Sequence, residues 1–255
     1  MKIQNIKKVG NKYKIILDNN EIITTNDHVI INNSLLYNKK LTKKELEKIK
    51  EDTLYYENYN HALKMLNRKQ RSEYEIRKEL NKNKVSKPDE EKIISHLKKI
   101  GLINDENYAE SYTNDKINLT LDGPYKIKRE LEENHINSLY IENALENFTQ
   151  DLIDCKLEKI INKKIKSNNK DTVYIFKQKT AMYLSNLGYS REDINNHLDQ
   201  IKLDNSNLEK EMDKIYNKLR TKYEGYTLKN KLKQKLYSKG FTNEEINNFI
   251  EKTVH

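Results

Sequence analysis

The chain has 255 residues, 48 Lys and Arg against 39 Asp and Glu, a formal charge of +9 and 35% hydrophobic content. That balance favours acidic partners such as nucleic acid, and the periodic placement of the apolar residues separates the chain from disordered sequences of similar polarity. A lone cysteine excludes an intramolecular disulfide, and six glycines with two prolines disfavour turn-rich all-β and βαβ folds, leaving helices joined by short polar turns.

In chain order, the N-terminus has no apolar run of the signal-peptide kind, and no stretch approaches transmembrane length, so a cytoplasmic protein is expected. "KIQNIKKV", "KYKIIL", "EIITT" and "HVII" are short β-branched runs separated by "GN" and "DNN", which suit hairpin turns. They predict a small antiparallel sheet of three or four strands within residues 1–40. Thr42 and Glu45 form a T-x-x-E capping box that opens a connecting helix over 41–57, running toward Tyr55.

Beyond residue 58 the chain repeats. Leu80, Leu131, Leu184 and Leu236 are spaced by 51, 53 and 52 residues. Five residues after each comes an apolar residue (Val85, Ile136, Tyr189, Phe241), and one further comes a helix-capping residue (Ser86, Asn137, Ser190, Thr242). In the last three copies Ile141, Ile194 and Ile246 follow four after that cap, and Leu145, Leu198 and Ile250 four later again. In the first copy "KPD" reads as an insertion, with Asp89 as the cap and Ile93 and Leu97 in the apolar places.

The helix ending at the anchor leucine starts at Ser72, with Glu75 closing a capping box, in the first copy, and at Gly123-Pro124 in the second. The third copy has no clear cap for this helix. A further helix lies upstream in each copy, marked in the last by Leu208, Met212, Ile215 and Leu219. The expected fold is therefore mainly α: tandem three-helix repeats over 58–103, 104–150, 151–206 and 207–255, supporting one another in an elongated curved array.

No catalytic motif is present: there is no G-x-S-x-G, phosphate-binding glycine loop or H-E-x-x-H. The histidines at 28, 61, 96, 135, 197 and 255 are scattered, without metal-ligand spacing, and Cys155 is expected to pack within a helix. Neither catalysis nor a cofactor or metal is expected.

The charge is uneven. Residues 1–57 carry 11 basic and 8 acidic side chains, 58–150 carry 16 of each, and 151–255 carry 21 and 15, so the excess lies at the two ends. Its sharpest concentration is "YTLKNKLKQKLYSKG" (226–240), with five lysines and no acid. On a helix Leu228, Leu232 and Leu236 face inward, Lys229 and Lys233 align beside them, and Lys231 and Lys235 point outward. Tyr223, Tyr226 and Tyr237 interleave, as a phosphate-tracking surface requires, although a plain solvated face satisfies the same pattern. The arginine-rich "RKQRSEYEIRKEL" (68–80) differs, because Arg71–Glu75 and Glu73–Arg77 can neutralise locally at i,i+4.

"ALKMLNRKQRSEYEIRKEL" (62–80), "HLKKIGLINDENYAESYTNDKI" (96–117) and "GPYKIKRELEENHI" (123–136) resemble the RecX family of recombination regulators. The match is specific over roughly 58–150, looser over the N-terminal sheet, which resembles that of Gram-positive members, and weakest over 151–255. Departures are the missing proline in Arg68-Lys69-Gln70-Arg71-Ser72, His135 where a turn glycine is common, and a fourth repeat. The resemblance implies no catalytic activity, binding to RecA and to its filament on single-stranded DNA along the filament groove, and modulation, usually inhibition, of its ATPase, strand-exchange and co-protease activities. A monomer is expected. The candidate contacts with RecA or DNA are Arg68, Lys69, Arg71 and Arg77, then Tyr125, Lys126, Lys128 and Arg129, then Lys229, Lys231, Lys233 and Lys235. The rival reading is an autonomous single-stranded-DNA-binding repeat protein that uses the last four lysines.

Overall fold

The structure, a computed structural model, describes residues 1–37, 40–168, 171–201 and 206–253. His255 and the side chain of Leu208, both named in the sequence reading, lie outside the described residues. By internal contacts the chain divides into two compact units, Met1–Ala109 with Asn134–Asn137, and Glu110–Glu133 with Ser138–His255.

The first unit opens with β1 (Ile3–Val9), β2 (Lys12–Leu17) and β3 (Ile22–Thr25), an antiparallel meander in the order β1-β2-β3. Ile6 pairs with Ile15 and Ile15 with Ile23, so the β-branched alternation falls on one face. Gly10 and Asn20, both at positive φ, make the two turns expected at "GN" and "DNN". "HVII" is not a fourth strand. It lies in α1 (Asp27–Asn32), because the Asn26 side chain accepts a hydrogen bond from the Val29 N–H and starts a helix there. Val29 and Ile30 of α1 join Ile15, Leu17, Leu35, Leu46 and Ile49 in one small core.

The capping box of Thr42 and Glu45 is present, and the helix it opens, α2 (Lys43–Arg68, 26 residues), continues unbroken past Tyr55. Ser72 and Glu75 cap α3 (Glu73–Lys82) in the same way. For α4 (Lys87–Lys99) the cap is Ser86 rather than Asp89: the Ser86 side chain accepts from the Asp89 N–H, and proline fits in the first turn without an insertion. Ala62, Ile76, Leu80, Ile93, Ile94 and Leu97 form the core of this triplet.

Three further triplets follow: α5 (Asp105–Leu119), α6 (Pro124–Glu133) and α7 (Ser138–Leu145); α8 (Gln150–Ser167), α9 (Val173–Asn186) and α10 (Arg191–Asp199); α11 (Ser206–Leu219), α12 (Gly225–Ser238) and α13 (Asn243–Thr253). The four anchor leucines are at most 1% exposed. The middle helix of the third triplet does have a cap, Thr172, whose hydroxyl accepts from the Ile175 N–H. It lies twelve residues before Leu184 rather than eight, because α9 and α12 each run 14 residues against 10 for α3 and α6. One added helical turn hid the cap from a search at fixed spacing.

Each middle helix ends in a left-handed residue four after its anchor leucine: Lys84, His135, Gly188 and Gly240. Val85, Tyr189 and Phe241 then donate back to Leu80, Leu184 and Leu236, the six-to-one bond of a Schellman turn. In the second unit these turns join successive triplets. The Gly123 and Tyr125 N–H groups, at the start of α6, donate to the carbonyls of Leu187 and Gly188 at 2.6 and 3.0 Å. A Cβ on Gly188 would lie 2.3 Å from the Lys126 backbone nitrogen, so glycine is required there by contact as well as by φ. Likewise Gly240 abuts Thr172 and Ile175, and the Thr172 hydroxyl donates to the Lys239 carbonyl.

Candidate interaction surface

The structure separates the predicted contact residues into those already paired and those left open. Arg77 is fully engaged: its guanidinium reaches Glu73 at 2.7 Å, Glu90 at 3.0 Å and Glu91 at 2.9 Å, and Lys98 also closes on Glu73. Hydrogen bonding to Glu91 heads the causes that hold the Arg77 guanidinium protonated well above its ordinary range. Glu90 is only 2% exposed and also takes Lys87, so Arg77 compensates a buried carboxylate. Arg71 is held by Glu75 at 2.5 Å, as the i,i+4 spacing predicts.

Arg68 and Lys69, at the end of α2, are exposed and carry no ion pair among the described residues. In the second triplet Lys126 is bound to Asp122 at 2.6 Å, and Arg129 stands a loose 3.8 Å from Glu133. Lys128 is exposed and has no ion pair among the described residues, and Tyr125 is 62% exposed. Asp122 also receives Lys116, which in turn reaches Glu130. Burial pushes the Asp122 carboxyl up, but the hydrogen bonds from Lys126 and Lys116 outweigh it and hold the group below the usual carboxylate range.

On α12 the Leu228, Leu232 and Leu236 side chains are 6%, 0% and 0% exposed, so the predicted inward stripe is present. Lys231, Lys233 and Lys235 are exposed and Lys229 half-buried, and none of the four has an ion pair among the described residues. Tyr226 and Tyr237, at 81% and 64% exposed, lie eleven residues apart on the same stripe, about 16 Å along the helix axis. Helix periodicity puts Tyr226, Lys229, Lys233 and Tyr237 along one flank of the leucine stripe and Lys231 and Lys235 along the other, and α12 itself carries no acid. The second unit also carries a surface of opposite sign: a cleft of about 1110 Å³ lined by Asp154, Glu158, Glu192 and Asp193, with no lysine or arginine on its walls among the described residues.

Several contributors escaped the sequence reading. Lys156 reaches the carbonyls of Ile117 and Thr120 at the end of α5, and burial lowers its amine from the usual lysine range. Cys155 is exposed on α8 rather than packed, because Ile153, Leu157 and Ile160 take the buried stripe and leave position 155 outside it. All four middle helices also share one unnoticed signature. Their second residue is tyrosine (74, 125, 174, 226), their fourth is apolar and buried (Ile76, Ile127, Phe176, Leu228), and their fifth is basic (Arg77, Lys128, Lys177, Lys229). Aligning the helices by their starts rather than their anchor leucines would have exposed it. Among the described residues, no three His, Cys, Asp or Glu side chains converge as a metal site, and no helix is long and apolar enough to cross a membrane.

The fold and this surface define a tandem three-helix-repeat protein with a small N-terminal β-sheet. Residues 104–145 match the second three-helix domain of RecX, and residues 204–250 match the third. Regulatory protein RecX of Listeria welshimeri is 30% identical over 261 residues, covering 98% of this chain and 96% of the relative. That of Bacillus cereus is 34% identical over 200 residues, covering 76% and 73%. A crystal structure of regulatory protein RecX superposes with a TM-score of 0.64 at 26% identity, covering 78% of this chain and 99% of the other. The chain belongs to the RecX family of regulatory proteins.

Proposed function

We propose that this protein binds the RecA recombinase and its filament on single-stranded DNA, within the filament groove, and inhibits RecA's ATPase, strand-exchange and co-protease activities. In this reading it acts in the cytoplasm, in recombination, DNA repair and the SOS response, and performs no catalysis of its own. The observation that carries the reading is a run of α12 lysines with no ion pair among the described residues, in a chain of the RecX family. Arg68, Lys69, Lys128, Lys229, Lys231, Lys233 and Lys235 are the cations available to a partner. Arg71 and Lys126 are taken up by carboxylates one helical turn away, and Arg77 ties α3 to α4.

RecA's ATP hydrolysis on single-stranded DNA tests the proposal. Micromolar amounts of this protein are expected to slow hydrolysis, and an unchanged rate contradicts inhibition. The α12 face by itself supports a second reading, in which the chain occupies single-stranded DNA without RecA. That reading requires salt-sensitive affinity for naked DNA.

A further inference from the structure

Three of the four middle helices have their start covered and three of the four left-handed turns are seated, and the two exceptions lie at opposite ends of the repeat series. The caps Ser72 and Thr172 are 0% and 3% exposed and Gly123 is buried, whereas the cap Glu224 of α12 is exposed; the second-residue tyrosine does not discriminate, because Tyr125 and Tyr174 are exposed at covered starts as well. The apolar residue after the left-handed turn is 6%, 4% and 4% exposed at Ile136, Tyr189 and Phe241. Val85 is only half-buried, and Lys84 before it is exposed.

The filled joints show what such a helix start accepts. Gly123 has no side chain to cap α6, and the carbonyls of Leu187 and Gly188 take the N–H groups that a cap would take. Glu224 likewise makes no side-chain cap bond to α12, and among the described residues no carbonyl substitutes for it. A turn bearing a side chain also fits: the 134–137 turn belongs with the first unit, where the His135 ring lies 4.2 Å from that of Tyr74, the second residue of α3.

We propose that the Lys84 turn and the start of α12 are the two halves of one further joint, filled when a second copy of this chain docks head to tail. The occupant follows from the three existing joints, each of which pairs a middle-helix start with a middle-helix turn; the Lys84 turn is the one such turn left open. In the register of the His135–Tyr74 contact, Lys84 of one copy lies over the exposed Tyr226 of the next as a cation–π pair, with Glu224 beside it. The contact is heterologous, since each copy contributes a different half. One turn on one helix start is a small contact, so the dilute chain stays monomeric and association appears only at high concentration.

Sedimentation velocity of the full chain between roughly 10 μM and 1 mM tests this, with Tyr226→Ala and Lys84→Glu as variants of exposed side chains that the fold does not need. The wild-type sedimentation coefficient is expected to rise with concentration, and each variant alone to remain a monomer. An equimolar mixture of the two is expected to form a dimer and nothing larger, since each supplies the half that the other lacks. A wild-type chain that stays monomeric throughout, a single variant that associates as far as the wild type, or a mixture without dimer overturns the proposal.

Discussion

At the scale of single residues, Arg77 shows how one side chain can look like a ligand contact and serve another purpose. It lies in the most arginine-rich stretch of the chain, yet its three carboxylate partners, one of them 2% exposed, make it an internal clamp. Arg77→Ala leaves Glu90 buried with only Lys87 as a counter-charge, and urea unfolding should show a loss on the order of 2–3 kcal/mol. Arg129→Ala, with its loose exposed pair, should change stability by no more than about 0.5 kcal/mol. The local pairs Arg71–Glu75 and Glu73–Arg77 were legible because i,i+4 spacing is a sequence property. The Glu90 and Glu91 contacts were not, because they depend on how α4 folds back on α3.

Asp122 gives a pH dependence of definite sign. Its folded-state carboxyl titrates below the ordinary value, so the stabilisation is fully present above about pH 4 and fades as the pH falls through the folded-state value. At pH 7, Asp122→Asn should therefore be less stable than the wild type, with the gap narrowing as the pH falls below the ordinary carboxylate value of about 4. Thermal unfolding of both chains across this range measures it, and a gap that stays constant with pH argues against the ion pairs as its source.

At the scale of elements, the periodic signals proved the most readable. The capping boxes at Thr42 and Ser72 and the leucine stripe of α12 stand where their spacing placed them. What failed was local competition. "HVII" has strand composition, but the side chain of Asn26 diverts it into α1. Thr172 was missed because α9 gained a turn while its anchor leucine kept the spacing of the series. The lysines of α12 were legible as residues, but their lack of ion pairs among the described residues was not, since pairing depends on neighbours distant in sequence. Replacing Lys229, Lys231, Lys233 and Lys235 by alanine should weaken binding to single-stranded DNA and flatten the slope of log affinity against log salt by up to about 2.8. Titrations at several salt concentrations read both quantities. An unchanged slope would remove α12 from the contact surface.

At the scale of the whole molecule, the sequence carried the mainly helical repeat architecture because low glycine and proline content, recurrent caps and anchor leucines all point to one answer. The joints between triplets were invisible, because the left-handed position is held by lysine and histidine in two turns and by glycine in the other two. The candidate surface was half legible: composition located the cations, and only the folded chain distinguishes the paired from the free.

The central claim concerns RecA, and it is tested most directly by co-sedimentation of this protein with RecA filaments assembled on single-stranded DNA, with RecA alone and DNA alone as parallel samples. The account predicts that the protein pellets with the filament in saturable amounts, and that the filament holds it more tightly than naked DNA does. Protein that stays in the supernatant with the filament, or that pellets equally with DNA lacking RecA, would contradict it.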